Sequence, residues 1–275
     1  APGAPTGVGV APGATAGTAV VSFTAPADVG ASAITGYTVT ADPGGITASG
    51  TASPIAVTGL APRTAYTYRV VANNASGGSA AATTGLLRFY DVVETFHEPM
   101  TQPNDTIFTG RFTFDTTARV VSSLAGSLTQ AMTKVGGVFG PPMTTVALAN
   151  QLSAEPATLG GVTGLLVTTF ALATTNTFDP SGFAPGPSAT QYYGLAAGAL
   201  NPKNGGVGNA YAMIFVNTTD PTVALLPAQI QKLAYADCTA GGMMMTTCMT
   251  GTSMMGYGAM GTMMGEPSSQ VVTER

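Results

Sequence analysis

Short stretches of alternating apolar and polar residues recur along the chain, each closed by Gly, Pro, Asn or Asp. Residues 18–24 (TAVVSFT) alternate and stop at Ala25-Pro26, and residues 34–40 (ITGYTVT) alternate and stop at Asp42-Pro43-Gly44-Gly45. A period of two sends successive side chains to opposite faces of a strand, so each stretch can bury one face and wet the other. Repeated along 275 residues, the pattern predicts an all-β protein. The 36 glycines and 19 prolines make up about a fifth of the chain, short of the share that marks low-complexity sequence. The length is enough for two cores.

Residues 1–85 hold the densest run of such stretches. Residues 53–60 (SPIAVTGL) lead through Pro62, Thr64 and Tyr66 into residues 68–73 (YRVVAN), and Asn74 to Gly78 form a turn. Leu60 and Tyr66 ahead of an alternating strand have the spacing of a tyrosine corner, in which the phenol bonds backbone a few residues upstream. In Ser22-Phe-Thr-Ala-Pro26, Gly36-Tyr-Thr-Val39, Val57-Thr-Gly-Leu60 and Val71-Ala-Asn73 the segment resembles a bacterial fibronectin type III domain. Phe23 stands where that family commonly carries Trp. The resemblance implies an immunoglobulin-like sandwich acting as a spacer or adhesion module without catalysis. Asp28 and Asp42 against Arg63 and Arg69 leave the segment formally neutral, and both acids fit turn formation.

Residues 86–275 read as a larger β-sandwich-like domain. Strands are expected over 86–96, 106–114, 119–124, 144–152, 164–170 and 210–216, with turns at Pro180-Ser-Gly182, Pro185-Gly-Pro187 and Asn204-Gly205. One short helix is expected near 227–236, where Ile230, Leu233 and Ala234 share a face at helical spacing. The runs Phe112-Thr-Phe-Asp115, Val120-Val-Ser-Ser-Leu-Ala-Gly126 and Asn209 to Asn217 resemble uncharacterised secreted β-domain proteins of Gram-negative bacteria, a likeness that implies no activity.

Catalytic signatures are missing. His97 is the only histidine, and His97-Glu98 is followed by Thr101 where a zinc-protease motif needs a second histidine. There is no nucleophile elbow, phosphate-binding loop or complete dinucleotide turn. Glu94, His97 and Glu98 cluster. Strand periodicity places the two glutamates on one face and His97 on the other, which favours a structural or interface role. No catalytic residue, metal ligand or cofactor is therefore assigned.

Cys238 and Cys248 stand ten positions apart across a glycine-rich stretch, a spacing that closes into a local disulfide in an oxidising compartment; free thiols are the alternative. Nine of the 13 methionines fall between Met243 and Met264, inside a Met/Gly-rich segment over 238–265. Methionine is a flexible apolar filler and the segment is expected to pack against a neighbour. Its thioethers, with Cys248, are also soft ligands suited to Cu(I).

Charge completes the reading. The chain has 9 Lys plus Arg and 13 Asp plus Glu, 8% in all, against about 25% in an ordinary soluble domain. Three lysines and a net charge of −4 exclude nucleic acid as a partner, because phosphate binding needs clustered cations. No apolar run reaches the roughly 18 residues of a membrane helix. Surface scaling gives about 11,000 Å², or on the order of 500 Å² per charge, the size of the largest apolar patch a monomer tolerates. Such a surface suits a subunit packed against its own copies. The expectation is a secreted, non-enzymatic structural protein of a bacterial cell surface: a homopolymeric filament, sheath or matrix, with cell-surface polysaccharide as a further partner. A start at Ala1-Pro2-Gly3 fits a mature form freed of its secretion signal. Residues 1–12 and 267–275 are expected to be uncommitted ends that dock into a neighbour as an added strand. The competing readings are a monomeric adhesin or glycan-binding module, a secreted hydrolase and a copper-binding protein.

Overall fold

A computed structural model describes residues 1–173, 210–237 and 265–275, together with the backbone of 249–252. It divides into two compact units: Ala1–Asp91 with Arg111–Ser123 and Glu274–Arg275, and Val92–Gly110 with Leu124–Thr273.

The first unit opens with β1 (Thr6–Pro12), β2 (Thr18–Thr24), β3 (Ile34–Asp42), β4 (Ile46–Gly50), β5 (Ile55–Thr58), β6 (Thr67–Asn74), β7 (Gly77–Gly78) and β8 (Ala82–Thr83). They form two sheets, β1-β2-β5 and β4-β3-β6-β7, with β8 also pairing β6. The pairs β1–β2, β2–β5, β3–β4, β3–β6, β6–β7 and β6–β8 are all antiparallel. The alternating stretches point one face inward: Ala19, Val21 and Phe23 on β2, Tyr37, Val39 and Ala41 on β3, Tyr68, Val70 and Ala72 on β6 are all buried. Val21, Val39, Val57 and Val70 are fully buried, each contributing about 1.5–3 kcal/mol relative to exposure. Phe23 packs on Tyr37 with ring centroids 4.7 Å apart, so the smaller ring fills the place of a tryptophan.

Longer strands follow: β9 (Leu87–His97), β10 (Thr106–Asp115), β11 (Val120–Thr129), β12 (Lys134–Val135), β13 (Val138–Phe139), β14 (Thr145–Leu148), β15 (Asn150–Leu159), β16 (Val162–Phe170) and β17 (Ala210–Asn217). After the single-turn helix α1 (Pro227–Ile230) come β18 (Ala234–Asp237), β19 (Met249–Thr252) and β20 (Glu266–Glu274). Two five-stranded sheets result, ordered β14-β11-β10-β9-β20 and β15-β16-β17-β18-β19, and β12 pairs β13 in a separate ribbon. The division between units falls within β9, β10 and β11. In the second unit, β16 and β17 are buried at nearly every position, so LLVTTF and AYAMIFV show no apolar–polar alternation, and Thr168 and Thr169 are buried with their apolar neighbours. Thus the described residues are almost wholly β, with a sandwich at the N-terminal side.

Three expectations change. The helix stops at Ile230 instead of reaching Ala236, because Leu233 to Ala236 are buried and β18 takes its backbone bonds from β17. The stretch 144–152 is two strands: β14 pairs β11, while β15 pairs β16 and keeps Pro156 mid-strand because it is a sheet edge. The chain ends are not free for a neighbour. Residues 6–12 are β1, paired to β2 through a bulge between Thr6 and Gly9 that broke the alternation. Residues 266–274 are β20 beside β9, and Arg275 N–H donates to Phe89 O at 3.0 Å. Removing residues 1–12 would therefore strip a strand from the sandwich.

Candidate functional site

The most unusual chemistry among the described residues lies in the second unit, where β9 turns inward. Val92, Glu94, Phe96 and Glu98 alternate to the buried side, each at 0% exposure, while His97 faces out. Neither oxygen of Glu94 has a hydrogen-bond partner. Burial drives its carboxyl well above the usual carboxylate range, favouring the protonated form.

Glu98 is better provided. Tyr235, from β18, donates its hydroxyl to Glu98 Oε1, and Thr106 Oγ1 on β10 donates to Tyr235 Oη at 3.2 Å. Phe96 meets the Tyr235 ring edge-on at 4.7 Å, which fixes the phenol. The backbone at Gly265 lies so close that a β-carbon there would overlap both carboxyl oxygens. Glu98 Oε2 has no partner. Burial pushes the Glu98 carboxyl up to about 7, against the lowering effect of its hydrogen bonds to Tyr235 and Thr106, and the nearby Asp105 adds to the rise. Tyr235 is also pushed well up, first by burial and then by Glu98.

Outside this pair, Asp105 Oδ1 gathers three contacts: His97 Nδ1 at 3.1 Å, Gln102 Nε2 at 2.8 Å and the Glu98 N–H at 3.2 Å. The arrangement ties the 3-10 turn Pro99–Thr101 to the end of β9. It does not form an acid/base pair with the buried carboxyls, since His97 and Glu98 point to opposite sides. No group of three or more His, Cys, Asp or Glu among the described residues is placed to hold a metal. Cys238, Cys248 and the methionines of 243–245, 254–255 and 263–264 lie outside the described residues. Tyr235, Thr106 and Asp105 were not singled out from sequence. The one available signal was a lone phenol within the apolar Ala234-Tyr-Ala236.

In the N-terminal sandwich, Leu60 and Tyr66 are buried at 6% and 4% exposure, and the Ala61 N–H donates to Tyr66 Oη at 2.9 Å. Tyr66 also exchanges backbone bonds with Leu87, each 2.8 Å. A phenol reaching back five residues to backbone, within two facing antiparallel sheets, coincides with a sequence match. Residues 3–85 match the family model described as "Fibronectin type III domain". The N-terminal sandwich is a fibronectin type III domain. Domains of this kind are typically extracellular structural or binding modules.

Two solved structures share remote likeness with the chain. One, titin kinase and its flanking domains, is 15% identical over 47% of this chain, with a TM-score of 0.27. The present chain spans about 30% of that one. The other, the FN1-FN3 domains of chicken CNTN1, is 10% identical over 99% of this chain and 98% of that chain, with a TM-score of 0.23. Scores this low lend nothing to the second unit. No curated protein matches the sequence. Among the described residues no helix is long and apolar enough to cross a membrane, which says nothing of a β-barrel.

Within the fibronectin type III domain two tyrosines give a matched test. Tyr66→Phe leaves the Ala61 N–H without its acceptor and is expected to cost about 1 kcal/mol. The Tyr68 hydroxyl is buried with no partner, so Tyr68→Phe is expected to be neutral or stabilising. Urea denaturation of both variants reads the difference; equal losses would count against the corner.

Proposed function

We propose that the protein is a non-catalytic, extracellular structural subunit that assembles with copies of itself into a bacterial surface filament, sheath or matrix layer. The observation that carries this reading is the scarcity of charge, which the fold deepens. Of the few ionisable side chains, Glu94 and Glu98 are buried. Arg69 pairs with Asp42 at 2.6 Å, Arg88 with Glu274, and Arg275 with Asp91 at 3.3 Å. Burial and pairing thus take charge out of a set that is already sparse, which weakens the repulsion that keeps copies apart. Exposed Val120, Val135, Val138, Val223 and Val271 add apolar surface between the charges. A fibronectin type III spacer fits the same role. Against a hydrolase, the two clustered carboxyls are closed to solvent and one of them contacts no polar group. In this reading Cys238 and Cys248 close a disulfide, the Met-rich segment packs against a neighbour, and surface polysaccharide is a further partner.

Size-exclusion chromatography with light scattering, followed by negative-stain microscopy, tests the reading. Ordered polymers are expected at micromolar concentration. A protein that stays monodisperse at millimolar concentration would overturn self-assembly and leave the monomeric adhesin in its place.

A further inference from the structure

The second unit carries two apolar projections at opposite ends of one sheet. The first is the ribbon of β12 and β13, joined by Gly136 and Gly137, both at positive φ. Val135 and Val138 are directly opposed in this antiparallel pair, so their side chains share one face. They are 50% and 69% exposed. The ribbon's base is clamped: Asn104 Nδ2 donates to Ala131 O at 2.8 Å and Thr133 O at 3.0 Å, Gln130 N–H donates to Thr144 O at 2.8 Å, and Gln130 Nε2 donates to Asp237 Oδ2 at 2.8 Å. Two stiff β-branched side chains are thus presented to solvent on a braced support, with little rotamer entropy left to lose on contact.

The second projection is the loop from Asn217 to α1. Val223 is 50% exposed and Leu226 43%. Gln229 holds this loop, accepting from Leu226 N–H at 2.8 Å and donating through Nε2 to Leu159 O at 3.2 Å.

Strand register separates the two. Asp237 pairs with Ala210, and Tyr211 with Phe170, so the Gln130–Asp237 bond sets the ribbon at that end of the sheet. Leu159 pairs with Val162 and Asn217 with Gly164, which sets the loop at the other end. The nine residues of β16 span the interval, roughly 25–30 Å. The charges are opposite in sign: Lys134, its ammonium 4.7 Å from the centroid of the Phe139 ring, is the only charged residue in 130–144, and Asp220, which accepts from Thr222 N–H and Oγ1, is the only one in 217–228.

We infer that these ends are the two halves of a head-to-tail contact, with the Val135–Val138 face of one copy seated on Val223 and Leu226 of the next. The inference rests on the self-assembly proposed above and names its contact. Different surfaces meet, so the contact is heterologous and repeats without closing unless its rotation forms a ring.

The test uses Val138→Glu and Leu226→Glu, both at exposed positions, with Val138→Ser and Leu226→Ser as milder companions; circular dichroism checks that each folds. Each Glu variant alone is expected to be monomeric by light scattering, associating at least tenfold more weakly than wild type. An equimolar mixture is expected to stop at dimers, because Val138→Glu keeps its loop and Leu226→Glu keeps its ribbon, giving one competent junction per pair. Polymers from either folded variant, or a mixture that stays monomeric, would overturn the contact while self-assembly stands. A monodisperse wild type would overturn both, and its sedimentation with zwitterionic lipid vesicles, lost in Val138→Glu, would reassign the ribbon to a membrane surface.

Discussion

Glu98→Gln is expected to stabilise the protein at pH 8 and to leave its stability unchanged at pH 4. In the fold the Glu98 carboxyl titrates near 7, against 4.5 for an unburied glutamate. A carboxyl raised in this way favours folding fully below pH 4.5, and that contribution is lost as the pH climbs through about 7. The gap corresponds to about 3 kcal/mol by pH 8. Glutamine keeps an acceptor for the Tyr235 hydroxyl and removes the ionisation, so the variant escapes the loss. Glu94 shifts in the same direction, but its oxygens have no partners even when protonated. Glu94→Leu is therefore expected to stabilise at both pH values, by about 1–3 kcal/mol at pH 4 from the unpaired polar group alone. Urea midpoints of the three proteins at pH 4, 6 and 8 separate the cases. A Glu98→Gln protein that tracks wild type across the range would show that the carboxyl is solvated, and would undo the description of the buried pair.

The same residues show how far sequence alone could reach. Period two placed Glu94 and Glu98 on one face of a strand and His97 on the other, and that face is buried. What closes over them was not legible, because Tyr235 stands 137 residues further along and reaches Glu98 only through sheet packing. The strands of the sandwich were legible because each buries one face, so pattern and structure share a period. β1 was not: Gly7 and Gly9 carry no side chains to alternate, and a bulge shifts its register. The region after Pro227 misled for the opposite reason. Ile230, Leu233 and Ala234 have helical spacing, yet Ala234 to Asp237 sit beside the long buried strand β17, whose free edge outweighs a weak helical preference. In each failure a partner distant in sequence decided the local structure.

Gly126→Ala is expected to be severe and Gly110→Ala repairable, although the glycines lie side by side under one ring. Phe108 is fully buried and covers both: a β-carbon on Gly110 would come within 2.5 Å of Phe108 Cζ and 2.8 Å of Cε1, with Ala125 O at 3.0 Å. A β-carbon on Gly126 would instead overlap Thr109 O and stand 2.6 Å from Gly110 Cα, with Phe108 Cε2 at 2.8 Å. Backbone in a paired strand cannot yield as a ring can. Gly126→Ala alone is expected to cost about 3 kcal/mol, at the upper end for overpacking, and Gly110→Ala about 1–2 kcal/mol because the ring can shift. Phe108→Leu opens space where the ring stood. In the double variant with Gly110→Ala it should recover at least about 1 kcal/mol relative to the sum of the single losses, the coupling of residues in direct contact. Combined with Gly126→Ala it should recover little, since the clash with Thr109 O remains. Thermal denaturation of the five variants closes both cycles. Equal rescue at the two sites would mean that strands β10 and β11 are further apart at Gly126 than their close approach requires.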